Sequence, residues 1–243
     1  MNRRRLLCLT AATVTATAGC TGDDVGSTVT EPDERPPGVG ERELDIEAVI
    51  ETTKAAVGRE SVAFERAEIR GDRTDDPGTR VEIRVDDDSE TILFGREDDR
   101  EAFQREVYYD DDGSFQCRKR GDDATFSWSP ESFAAFRGTI PDEIEFWLRP
   151  LVARLVYDEV RWDDDHYTAS VVGFDDPEVT VSEGSIALSS DGVFLDLDVE
   201  LDRDAGGRGL FLSSIDERET ATVDEPEWLS EARDATTDGS GRS

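Results

Sequence analysis

The chain is 243 residues long, with 59 acidic against 27 basic side chains, a formal net charge of −32 and a single histidine. A surface this acidic offers nucleic acid no basic face on which to release counterions, and one histidine excludes a site built on a histidine pair. The acids are spread through alternating patterns instead of blocks, unlike an acidic tail or a disordered activator.

The chain opens with MNRRRLLCLTAATVTATAGC. Arg3, Arg4 and Arg5 form a charged export signal, and the apolar run Leu6–Ala18 falls short of the ~20 residues that span a bilayer. Arg-Arg-Arg-Leu-Leu looks like a twin-arginine signal, although a Sec signal can also begin with arginines. Thr17-Ala18-Gly19-Cys20 resembles a lipobox, with cleavage between Gly19 and Cys20 and the Cys20 thiol carrying lipid. The alternative is an ordinary cleavage site beside a chance cysteine. The next stretch, TGDDVGSTVTEPDERPPGVGE, has the Gly, Pro, Ser, Thr and acid content of a tether. These features divide the chain into a signal peptide (1–19), a lipidated cysteine with flexible tether (20–40), one domain (41–232) and a disordered tail (233–243). The expected partner is the membrane, reached through the lipid anchor, and the expected place is the extracytoplasmic face of the cell membrane.

Residues 41–57 put Ile46, Val49, Ile50, Thr53 and Val57 on one helical face, with Gly58 as terminator. SVAFERAEIR then alternates at Val62 and Phe64 and shifts phase near Arg66, which predicts a bulge or an edge. RVEIRVD, TILFGR, REVYYDD, SFQCRKR and ATFSW complete a first antiparallel meander. Ser129-Pro130-Glu131 reads as a helix start. The next stretch, PDEIEFWLRPLVARLVYDE, predicts a helix with an apolar stripe of Ile144, Trp147, Leu148, Leu151, Val152 and Leu155. Phe146, Val156 and Tyr157 widen that stripe, and Pro150 should kink or divide the helix. HYTASVVGF, EVTVSEGSIAL, VFLDLDVELD and RGLFLSSIDE return to strands, with SDG as a hairpin signal and Phe194 out of phase with its strand. A short element at DEPEWLSEA precedes a polar end that should fray beyond Arg233.

No catalytic signature emerges, so neither an enzyme nor a cofactor is expected. His166, in DDDHYTAS, reads as a solvent-facing residue at a strand start. Cys117 has Arg118, Lys119 and Arg120 after it, charges that favour a thiolate, but its strand position also suits a packed thiol. The triplets Asp86–Asp88, Asp110–Asp112 and Asp163–Asp165 offer oxygen ligands, yet their spacing matches no EF-hand loop and each falls where a turn is needed. No metal site is expected.

Thr17–Cys20, REVYYDDDGSFQC, VTVSEGSIALSSDGVFLDLDVEL and the closing EPEWL, in this order of elements, resemble the lipoprotein-carrier superfamily. That group comprises LolA and LolB, LppX- and LprG-type lipoproteins, and haloarchaeal lipoproteins similar to them. The acid load itself resembles proteins of salt-in halophiles. The resemblance implies an α+β fold: a curved antiparallel sheet, or half-open barrel, whose concave face is covered by helices and can hold lipid tails. It supplies no ligand motif to carry over, and no basic patch for an anionic head group is evident along the chain. The residues leave two readings of the wide helix. Trp147, Leu148, Leu151 and Leu155 line a cavity for a lipid or other hydrophobic ligand, or they are ordinary core in an envelope interaction protein.

Overall fold

The computed structural model describes residues 30–70, 78–98, 102–203 and 207–239. Helix α1 (Ile46–Val57) begins where the Asp45 carboxylate accepts from the Ala48 N–H at 3.2 Å and ends at Gly58, burying Val49, Ile50, Thr53 and Val57. Six strands follow as a meander: β1 (Val62–Arg70), β2 (Thr79–Asp86), β3 (Thr91–Asp98), β4 (Phe103–Asp110), β5 (Gly113–Arg120) and β6 (Asp123–Ser129). Helices α2 (Phe133–Arg137) and α3 (Ile140–Val152) carry the chain back. Five more strands return to the start: β7 (Leu155–Asp163), β8 (His166–Phe174), β9 (Val179–Ser189), β10 (Phe194–Arg203) and β11 (Gly207–Asp216).

All eleven strands join one antiparallel sheet in the order β6-β5-β4-β3-β2-β1-β11-β10-β9-β8-β7. The first and last strands meet in the middle, while β6 and β7 lie at opposite edges and leave the sheet open. This is the curved, open α+β sheet the sequence predicts. One face carries the main core, where Phe64, Ile83, Ile92, Tyr167, Ile186 and Leu197 are almost fully buried beneath α1, α2 and α3. Each of the isoleucine, leucine and phenylalanine side chains among them contributes roughly 1.5–3 kcal/mol by leaving water.

Five details differ from the sequence reading. The phase shift at Arg66 is not a bulge, since β1 pairs with both neighbours in unbroken register from Ala63 to Glu68. Leu155 is not helical: α3 ends at Val152, soon after Pro150, and the β-branched and aromatic run from Leu155 pairs with β8. The ordered chain does not stop at residue 232, because α4 (Leu229–Gly239) runs into the expected tail as far as Gly239. Nor do all helices share one face: α4 packs Trp228, Leu229 and Ala232 on Tyr108, Phe115 and Cys117, on the outer side of the sheet. The expected tether is also shorter at its C-terminal end, since Val39 is buried and pairs with Leu44, and Pro36 lies against Gly192. The break at Phe194, by contrast, is a bulge between Phe194 and Asp196.

Candidate ligand site

Helix α3 lies over the inner face of the sheet because Ile140, Ile144, Leu148 and Leu151 recur at three- and four-residue spacing. Leu148 and Leu151, with Leu155 from the start of β7, are buried in the main core, and Trp147 packs against it half-buried. The four residues expected to line a cavity are thus brought to one place. Two surface recesses, of about 360 and 150 Å³, lie among β2 to β5 and border none of the four. Phe146, next to Trp147, is 64% exposed and meets its indole edge-on at 5.1 Å.

The attachments of α3 are polar. Lys54 of α1 bridges Glu145 and Asp142, and Arg149 pairs with Glu47 and Glu145. These partners hold the Glu145 carboxyl below its usual range, Lys54 first and Arg149 second. Pro150 has no N–H to offer the carbonyl four residues earlier, that of Phe146. The neighbouring Trp147 carbonyl accepts from Arg66 Nη1 on β1. Arg66 and Arg96 also lie over the Trp147 ring, with Cζ 5.8 and 5.7 Å from its centroid. The indole Nε1 is buried and has no hydrogen-bond partner among the described residues.

Strand register reveals what the sequence conceals. Arg66 pairs with Val81, Val81 with Arg96, Arg96 with Arg105, and Arg105 with Arg118. Side chains alternate along a strand, so this row shares the inner face with the buried row Phe64, Ile83, Phe94 and Val107. Arg105 Nε donates to Gln116 Oε1 at 2.9 Å and its guanidinium sits 5.9 Å from the Phe94 centroid, while Arg118 reaches the same Gln116 oxygen at 3.5 Å. Burial lowers the Arg66 pKa, opposed by nearby Glu68. The basic patch missing from the sequence reading is therefore present. Its members lie on four strands, and only the parity of each strand could have hinted at it.

The other candidates are accounted for locally. Cys117 is 2% exposed, and burial raises its thiol pKa despite the opposing effect of Lys119, so the basic run does not activate it. His166 Nδ1 lies 3.0 Å from Asp165 Oδ1 in the β7–β8 turn. Asp86 accepts from the Asp88 and Ser89 N–H groups at 3.0 and 3.1 Å, and Asp110 from Asp112 at 2.9 Å, so these acids cap their own turns. Arg3, Arg4, Arg5, Gly19 and Cys20 lie outside the described residues. Among the described residues no helix is long and apolar enough to cross a membrane.

No family model matches the chain, and no curated protein matches it. Among solved structures it is similar to the lipoprotein LppX of Mycobacterium tuberculosis at 13% identity, over 73% of this chain and 96% of that one, with a TM-score of 0.33. It is also similar to a LolA superfamily protein from Nitrosomonas europaea at 9% identity, over 75% and 96% of the two chains, with a TM-score of 0.23. The likeness is one of fold.

Proposed function

We propose that this chain is an exported, lipid-anchored protein of a salt-in halophile, of the haloarchaeal type, that binds or carries a hydrophobic ligand such as a lipid without catalysing a reaction. The observation that carries the reading is the cover over the open sheet. Helix α3 lies across the inner face, with Pro150 in its last turn and the Trp147 N–H buried without a partner. A buried donor left unpaired costs about 1–3 kcal/mol, which a cover that exchanges occupants can tolerate better than a permanent core. In this reading α3 shifts against its partly buried salt bridges, and Trp147, Leu148, Leu151 and Leu155 come to face the ligand. The lipid on Cys20 holds the domain at the extracytoplasmic surface. The net charge of −32 is tolerable there because at ~1 M salt the Debye length shrinks to ~3 Å.

A second reading is favoured by one observation: Leu148, Leu151 and Leu155 are each at most 6% exposed within a continuous core. An envelope interaction lipoprotein with a fully packed interior would look the same. Native mass spectrometry of the membrane-extracted protein in volatile salt separates the two. Co-purifying lipid, lost in a Leu148→Gln/Leu151→Gln variant that still folds, is expected for a binder; an empty protein that takes up no added lipid favours the packed module. Cys20→Ser should move the protein from membrane to medium, and retention would overturn the anchor. Arg3→Lys with Arg4→Lys should stop export through a twin-arginine route, whereas unchanged secretion points to Sec.

A further inference from the structure

We propose that the neighbouring Arg96, Arg105 and Arg118, flanked by Arg66 and the indole N–H of Trp147, form an oxyanion-binding row that takes a phosphate or sulfate group at the acidic end of an amphiphile. The anion site stands on the strand register and the side-chain contacts around it, whereas the amphiphile as its source rests on the carrier reading above.

Three features point to an anion. First, Arg96, Arg105 and Arg118 are direct cross-strand neighbours, where Cβ atoms sit about 4.5–5.5 Å apart and like charges destabilise the sheet. This happens in a chain with 59 acids against 27 bases, so opposite charge was abundant and is missing from these positions. Second, among the described residues only Arg96 of the four is ion-paired, loosely, to Asp98 at 3.9 Å, while Arg105 and Arg118 share the neutral Gln116 oxygen. Third, the buried polar atom left unpartnered here, Trp147 Nε1, is a donor. A guanidinium and an indole N–H accept nothing, and Trp147 Nε1 is already buried. A planar carboxylate fits one guanidinium fork, whereas a tetrahedral oxyanion accepts from several at once.

The surroundings suit an amphiphile. The next row inward is apolar, Phe64, Ile83, Phe94 and Val107, and exposed Phe146 stands beside Trp147. The negative charge of the whole protein repels anions at long range in dilute buffer. At ~1 M salt, where the Debye length is ~3 Å, that repulsion is screened while direct fork contacts persist.

Calorimetric titration of the full chain in high salt tests the row with three probes: a short-chain phosphatidic acid, the matching uncharged diacylglycerol, and inorganic phosphate. The acid should bind about tenfold or more tightly than the uncharged lipid, the scale of one charge-assisted hydrogen bond. Arg105→Gln with Arg118→Gln should remove that preference, leave diacylglycerol binding unchanged and not lower the melting temperature, since it relieves like-charge repulsion. Trp147→Phe, which keeps a ring and loses the N–H, should weaken the acid a few-fold more than the uncharged lipid. Equal binding of acid and uncharged lipid by the wild type, or an acid preference that survives the double variant, overturns the row. Phosphate binding lost in the double variant, with neither lipid bound, upholds the row, identifies a free anion as its occupant and removes the carrier reading. Lipid binding with no charge preference removes the row and leaves the carrier reading intact.

Discussion

Arg137 grips Asp87 with two nitrogens, Nε to Oδ1 at 2.7 Å and Nη2 to Oδ2 at 2.9 Å. Its remaining N–H groups donate to the carbonyls of Val57 and Glu60 at 2.9 and 3.1 Å. One side chain thereby joins the end of α2, the turn after β2 and the open carbonyls at the end of α1. The guanidinium is 13% exposed, so little water replaces what it loses. Arg137→Gln should cost about 2–4 kcal/mol in denaturant unfolding. Arg137→Lys should recover only part of this, because a point charge cannot reproduce the fork.

Thr53 gives a second, purely local case. Its hydroxyl donates to the Val49 carbonyl at 2.8 Å and accepts from the Phe194 N–H at 3.0 Å, linking α1 to the bulged start of β10. Thr53→Val keeps the shape and leaves that buried N–H unpaired, at a cost of about 1–3 kcal/mol. Thr53→Ser should lose much less. Equal losses in chemical denaturation for the two variants would assign the effect to packing instead of the hydrogen bond.

These contacts mark what the sequence could and could not disclose. Period-two alternation located the strands, because burying one face of a sheet writes itself into every second residue. The same logic misread Arg66 as a bulge, since it assumes that an inward position is apolar. Phe194 broke phase in the same way and is a bulge. Only hydrogen-bond register separates the two cases: Arg66 keeps step with Val81 and Ser213, whereas Phe194 loses step with β9. Leu155 was placed on the helix because a short apolar run fits either period. The α4 docking surface of Phe115, Cys117 and Phe126 was hidden because its residues alternate in the same way as solvent-facing ones do.

That docking surface makes Cys117 a reporter of α4. The thiol is 2% exposed and lies in the cluster with Trp228, Leu229 and Ala232. Peptide mapping after maleimide treatment should find it protected in the wild type. Trp228→Ala, or removal of residues 227–243, should expose it and raise its labelling at least severalfold while the main core stays folded. Protection that survives the truncation would mean that the β5–β6 surface closes without the helix.

The outer face of β10 carries Asp196 and Asp198 in succession. Asp196 is exposed yet crowded: loss of solvent around it, followed by the charges of Asp198 and Asp216, pushes its pKa up to about 6. In an unfolded chain an aspartate titrates near ~3.9, so between these values the folded state binds more protons than the unfolded one. Stability from this group is therefore present at low pH and is lost as pH rises toward and through about 6. Asp196→Asn removes the charge and keeps the size, so it should raise the melting temperature at neutral pH. The gap over wild type should close as the pH falls to about 4, where both forms are neutral in the folded state. High salt should shrink it further, because the share due to Asp198 and Asp216 is screened. A gap that is flat with pH, or a variant that melts lower at neutral pH, would show that the Asp196 carboxylate is not under strain from its neighbours.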